Sequence, residues 1–286
     1  RKESSAASDV YKRQDFTRSH LATTPDGSTV AARSGLGDGV VHVWDVESGD
    51  QHAVALPTGT RWNEALALSP DGETVFVGVW GRQDDEPLAM AFGVENGEKL
   101  FSAHAPEGAE LSAPLALDTS PDGDLLLGSL SDGLAAWDAT SGEAPSDLPE
   151  VMEASGDRYG SMTVGDGVAV TAGRDAPSLW DLDPAAEPQE LPRPEGLGTG
   201  DDNLPVSQVA LSTDEERIIS AGSAGNRGFV GVWDLSGDLV AEHAATGRSY
   251  SALAAAPSGH GALVVEHALA TEDNREEDLC LLYTSP

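Results

Sequence analysis

Leu115-Ala116-Leu117-Asp118-Thr119-Ser120-Pro121-Asp122-Gly123-Asp124-Leu125-Leu126-Leu127 decides how this chain is read. Two short apolar runs flank Ser-Pro-Asp-Gly. Neither reaches helical length, and both are bounded by turn residues, so they read as strands. The four residues between them suit a type I turn. Pro presets φ at the second position, Ser accepts a backbone N–H from the first, and Gly takes the last. Leu134-Ala135-Ala136-Trp137 supplies a third strand, and a poorer fourth is expected near Leu148.

The same turn recurs as Thr24-Pro25-Asp26-Gly27 and Ser69-Pro70-Asp71-Gly72. Weaker copies stand at Gly165-Asp166-Gly167, Ser212-Thr213-Asp214-Glu215 and Pro257-Ser258-Gly259. A Trp-Asp pair follows most of them: Trp44-Asp45, Trp137-Asp138, Trp180-Asp181 and Trp233-Asp234. In the second copy Phe92-Gly93 keeps the spacing to its glycine, Gly97, and so takes the Trp-Asp place. A period of about 45 residues means stacked copies of one small supersecondary unit. Large apolar side chains at 44, 92, 137, 180 and 233 are expected to pack between neighbouring sheets.

The Trp-Asp pairs after Ser-Pro-Asp-Gly turns resemble the WD-repeat β-propeller family, over residues 16 to about 270. The resemblance implies an all-β propeller of four-stranded antiparallel blades, five full ones and part of a sixth. Propellers close with about 4–8 blades, so a parent with six or seven is expected.

Both ends read differently. Residues 1–14 and 280–286 resemble a translated sequencing adapter: one DNA element, read in opposite directions, encodes both Asp9-Val10-Tyr11-Lys12-Arg13-Gln14 and Cys280-Leu281-Leu282-Tyr283-Thr284-Ser285. Such scars are set aside from fold reasoning. Residues 15–279 are then the natural part, a propeller fragment without cysteine. Localisation is left open, since any targeting segment would lie outside it.

The chain carries 16 Lys and Arg against 49 Asp and Glu, a net charge of −33. Outside the two ends Lys99 is the single lysine. Such a surface repels nucleic acid and anionic membranes. The acidic, lysine-poor, Ala/Gly-rich composition resembles that of prokaryotic proteins, either halophilic archaeal or acidic actinobacterial. No apolar run approaches the roughly 20 residues of a membrane helix.

In a propeller the Ser-Pro-Asp-Gly and Trp-Asp hairpins share one face, which the sequence makes almost purely acidic. The other face carries the fourth-to-first and second-to-third strand loops, and arginines gather there. Arg61-Trp62, Arg158-Tyr159 and Arg248-Ser249-Tyr250 precede first strands, while Arg33, Arg82, Arg174 and Arg227 lie between second and third strands. An arginine fork suits a carboxylate or phosphate and stacks on aromatics. Two roles are open for these arginines: contact with a partner, or bracing of the blade in place of a His that commonly bonds an Asp in the resembled family.

Other constellations carry less. The seven histidines lack metal-ligand spacing, and Asp118–Asp124 lacks the final carboxylate of a calcium loop. No nucleophile elbow, Walker loop or HExxH helix occurs. The reading is a non-catalytic interaction or scaffold module binding a protein or peptide, with no cofactor and no metal. The alternative is a propeller enzyme or small-ligand sensor with a site in the central channel, built from His20, Glu64 and Asp118.

Overall fold

Four of the turns are held by one repeated set of hydrogen bonds. In the second copy Ser69 Oγ donates to Asp71 Oδ1 at 2.5 Å and accepts from the Thr74 amide at 2.9 Å. Asp71 Oδ1 also accepts from the Glu73 amide at 3.0 Å. Thr24, Ser120 and Ser212 make the same pair of bonds, to Asp26 and Thr29, Asp122 and Leu125, Asp214 and Arg217. Gly72 closes its turn at φ 74°. Glu215 takes the same left-handed position at φ 54°, a conformation that an L side chain rarely adopts.

Each turn joins two antiparallel strands, and each pair grows into a sheet. The structure, a computed structural model, describes residues 20–33, 39–80, 86–105, 114–130, 133–148, 151–153, 160–173, 176–183, 188–193, 206–212, 214–224, 227–255, 261–268 and 278–284. Among them there is no helix. Blade 1 is β1 (His20–Thr23), β2 (Thr29–Arg33), β3 (Val40–Asp45) and β4 (Gln51–Ala55). Blade 2 is β5 (Trp62–Leu68), β6 (Thr74–Val79), β7 (Pro87–Gly93) and β8 (Lys99–His104). Blade 3 is β9 (Ala116–Thr119), β10 (Leu125–Ser129), β11 (Gly133–Asp138) and β12 (Val151–Glu153). Blade 4 is β13 (Met162–Gly165), β14 (Val168–Thr171), β15 (Ser178–Asp181) and β16 (Gln189–Glu190). Blade 5 is β17 (Val206–Leu211), β18 (Arg217–Ala224), β19 (Arg227–Asp234) and β20 (Leu239–Thr246). A sixth sheet has three strands, β21 (Arg248–Ala255), β22 (Gly261–Ala268) and β23 (Asp278–Thr284). Every sheet runs in sequence order as an antiparallel meander. The segment set aside at 280–286 lies largely in β23, where Leu282 stands opposite Leu263.

The core lies between blades. Side chains alternate along a strand, so a sheet with a described neighbour on each side buries both faces. In blade 2, Leu66, Leu68, Val75, Val77 and Phe92 pack on Val41, Val43 and Val54 of blade 1. Their alternates Ala65, Ala67, Phe76 and Ala91 pack on Leu117, Leu126 and Trp137 of blade 3. Three further clusters join blades 3 and 4, 4 and 5, and 5 and 6.

The third-strand aromatics hold one register position, one residue before the Asp or Gly that ends the strand. Trp44 pairs with Val30, Phe92 with Val75, Trp137 with Leu126, Trp180 with Ala169 and Trp233 with Ile218. Phe92, Trp137, Trp180 and Trp233 are buried, each against the blade before it. Trp44 departs from the expectation and is half-buried, because no described sheet precedes blade 1. The fourth strand of blade 3 also starts later than expected, at Val151, beyond Leu148.

Candidate functional site

The blades present two ends of opposite character. At one end the turn aspartates cap their own loops. Asp138 Oδ1 accepts from the Thr140 and Ser141 amides at 3.0 and 2.8 Å, and Asp234 Oδ1 from the Ser236 and Asp238 amides at 3.1 and 3.0 Å. Hydrogen bonds to the ionised form hold these carboxyls below their ordinary range. Asp26, facing the Ser28 amide and the Thr24 hydroxyl, is lowered to about 2. Asp45 is lowered by the Ser48 amide, Asp71 by Ser69, Asp122 by Ser120, Asp138 by Thr140 and Asp234 by Ser236. A cleft of about 500 Å³ opens here between blades 3 and 4, lined by Asp122, Asp124, Asp138, Asp147 and Asp166. Its aspartates at 122 and 138 are occupied in bracing turns.

The opposite strand ends carry four of the arginines named above. Arg33 ends β2 and is half-buried; Arg61 stands exposed just before β5. Arg227 opens β19, exposed, and Arg248 opens β21, half-buried. Each sits at the end of its strand away from the Ser-Pro-Asp-Gly type turn. Arg82, Arg158, Tyr159 and Arg174 lie outside the described residues.

The aromatic partners of these arginines serve the junctions between blades. Trp62 is half-buried and meets Phe92 edge-on, with ring centroids 6.1 Å apart. Tyr250 is buried in the cluster joining blades 5 and 6, and its amide donates to Ser223 Oγ at 2.8 Å. A different aromatic is displayed instead. Trp80 is 48 % exposed, and its amide donates to the Arg61 carbonyl at 2.7 Å. It follows β6, whose last residue, Val79, pairs with Trp62. The repeat pattern does not include Trp80, which is why sequence reasoning passed over it. Its adjacency to Arg61 follows from the β5–β6 pairing.

Innermost strands are stitched to one another by side chains. Asn63 Nδ2 donates to the Pro114 carbonyl at 2.7 Å, and Thr119 Oγ1 to the Leu68 carbonyl at 2.9 Å. The Val209 amide donates to Ser161 Oγ at 3.3 Å. Asp118 joins blades 3 and 4: its Oδ1 accepts from the Thr119 amide and its Oδ2 from the Val164 amide, both at 2.9 Å. Enclosure among the inner strands pushes its carboxyl up to about 6, against those two bonds. The side chains of His20 and Glu64, the other titratable groups expected here, lie outside the described residues. Among the described residues no three His, Cys, Asp or Glu gather where a metal ion could be held, and no helix is long and apolar enough to cross a membrane.

Six consecutive antiparallel sheets packed face to face define the class: an all-β protein built from propeller-type blades. One solved structure of like fold bears this out: a chain of a mitotic checkpoint complex superposes with a TM-score of 0.65 at 14 % identity over 93 % of this chain and 77 % of that one. A second match, hydrazine synthase of Kuenenia stuttgartiensis, is looser, with a TM-score of 0.48 at 14 % identity; 93 % of this chain spans 62 % of that one. No family model and no curated protein matches the sequence.

Proposed function

We propose that this chain is a non-catalytic WD-repeat-type propeller module, within residues 15–279 of a prokaryotic protein, that binds a protein or peptide partner. Its working face is the one carrying the fourth-to-first and second-to-third strand loops. The reading rests on one observation: Arg33, Arg61, Arg227 and Arg248 stand at strand ends away from the capped aspartates, in a chain of net charge −33. Arg and Trp are the residue types that most often dominate binding energy at interfaces. Arg61 beside the exposed Trp80 supplies both. The chemistry favours a peptide segment with a carboxylate for the arginines and an apolar side chain for the indole. The acidic surface argues against nucleic acid.

A panel of acidic, neutral and basic peptides carrying one aromatic residue tests this by fluorescence anisotropy. Acidic members are expected to bind, and Arg61→Ala with Trp80→Ala to weaken them at least about tenfold. Binding that ignores both substitutions, or that selects basic peptides, sinks the assignment. Asp118, enclosed on an inner strand, is the observation favouring the second reading, a small-ligand site in the central channel. That reading predicts ligand binding lost in Asp118→Asn and kept in Arg61→Ala.

A further inference from the structure

The register of β5 against β6 breaks once. Leu68, Ala67 and Leu66 stand opposite Val75, Phe76 and Val77, yet Trp62 stands opposite Val79. Asn63, Glu64 and Ala65 therefore share the single Gly78 as their opposite, a bulge of two extra residues. A continuous ladder would set Glu64 opposite Val79 and Asn63 opposite Trp80, with Arg61 two places further out. The bulge instead brings Arg61 to Trp80, whose amide donates to the Arg61 carbonyl at 2.7 Å. The first strands of blades 1, 3 and 4 pair without a break, and those of blades 5 and 6 take in one extra residue each. Among the described residues, blade 2 has the largest first-strand bulge.

Asn63 latches this bulge. It is buried, at 3 % exposure. Its Oδ1 accepts from the Ala65 amide at 2.9 Å, a side-chain turn across two residues, and its Nδ2 donates to the Pro114 carbonyl of blade 3 at 2.7 Å. Gly78 gives it room: a Cβ there would collide with Asn63 Oδ1 and lie 2.9 Å from Ala65 Cβ. An insertion of two residues keeps the alternation of side chains, so Trp62 still shares the face of Leu66 toward blade 1, where it meets Phe92. Truncating Asn63 would leave the Ala65 amide and the Pro114 carbonyl without these partners, the costly outcome for buried polar groups.

We propose that Asn63 is a positioning residue for the partner site: by latching the bulge it fixes Arg61 beside Trp80, and so sets the preference of that site for a carboxylate. The inference rests on the reading of Arg61 and Trp80 as contact residues. Bulges recur where a strand must re-aim a side chain. Buried as it is, Asn63 meets no partner itself and acts only through the register of Arg61 and Trp80. Without the latch the start of β5 relaxes toward the continuous ladder, in which Asn63 and not Arg61 is opposite the indole.

Amide hydrogen exchange read by NMR on the whole chain, together with the anisotropy of an acidic peptide carrying one aromatic residue, tests this. The Trp80 amide is expected to be protected in the wild type. Asn63→Ala and Gly78→Ala are each expected to lower that protection at least about tenfold, with the Ile219 amide of blade 5 unchanged. Each is expected to weaken the acidic peptide about tenfold as well. Should Asn63→Ala lose protection at Ile219 too, Asn63→Asp replaces it, keeping the acceptor for Ala65 and removing the donor to Pro114. Deleting Asn63 and Glu64 together joins Trp62 to Ala65 and makes the ladder continuous with Arg61 still opposite Trp80. That variant is expected to keep both the protection and the binding, a rescue that a merely structural role for Asn63 would not give. Protection at Trp80 that survives the substitutions overturns the inference, as does a folded deletion variant that loses it. A wild type with the expected exchange but no affinity for acidic peptides overturns instead the reading of the site on which the inference rests.

Discussion

Trp44 and Trp137 occupy the same place in two blades and live in different surroundings. Each precedes an Asp, each pairs with an aliphatic residue of the second strand, and each leads into a turn capped by that Asp. Trp137 is 2 % exposed, and its indole N–H donates to the His104 carbonyl of blade 2 at 2.8 Å. Trp44 is half-buried, with His42 of its own strand as ring neighbour at 5.8 Å. The local sequence sets the position of the ring. The blade before it sets what the ring is worth.

Truncating both rings is the harshest test of that difference. Trp137→Ala removes a buried indole from a junction and leaves a cavity and an unsatisfied carbonyl, so a loss of about 3–5 kcal/mol is expected in urea unfolding. Trp44→Ala is expected to cost roughly 1 kcal/mol, since its ring is only part removed from water. Equal losses at the two positions would mean that the junction is not where the stabilisation lies.

A second contrast sets Asp118 against the turn aspartates. Its folded-state carboxyl is raised to about 6, so it binds its proton more tightly folded than unfolded. Its contribution is fully present below the ordinary value of 3.8 and is lost as pH rises through 6. The full shift corresponds to at most about 3 kcal/mol, less where water reaches the side chain. Asp26 and its counterparts have lowered values, so their contribution is present above 3.8 and is lost as pH falls through the folded value, about 2 for Asp26. Stability is therefore expected to rise on acidification from pH 6 to 4 and to fall below it. Asp118→Asn is expected to flatten the upper limb alone. An upper limb of unchanged slope in that variant would remove Asp118 as its source.

What could be read from the sequence follows the same division between local and neighbouring causes. The Ser-Pro-Asp-Gly turns, the strands they join and the equivalence of Phe92 with the tryptophans all rest on spacing within about 30 residues, and all were legible. The fourth strand of blade 3 was placed early because it is three residues long and carries little pattern. The openness of Trp44 follows from the lack of a described sheet before blade 1, which no spacing inside the blade encodes. The Asp118–Val164 bond spans 46 residues and needs two blades in contact. Trp80 lies outside the repeated positions, so only strand pairing brings it beside Arg61. Tyr250, read as a partner of Arg248, is spent on a junction, because period alone does not say which way a first-strand aromatic points.

The smallest expected effect is the one that most sharpens the contrast between blades. Ser120→Ala removes the hydroxyl that joins Asp122 to the Leu125 amide, and Thr24→Ala removes the matching one between Asp26 and Thr29. Each deletion is expected to cost about 1 kcal/mol, the usual net worth of such bonds when partly exposed. Every atom of either brace lies within five residues of the hydroxyl, so the preceding blade is not involved. The two losses should therefore agree within a few tenths of a kcal/mol, although no described sheet precedes blade 1 while blade 2 precedes blade 3. Ser120→Thr should be nearly neutral, since Thr24 already makes the same bonds. A Thr24→Ala loss far below that of Ser120→Ala would show that the turn too draws its stability from the adjoining sheet, and the division between local geometry and neighbour-given energy would have to be redrawn.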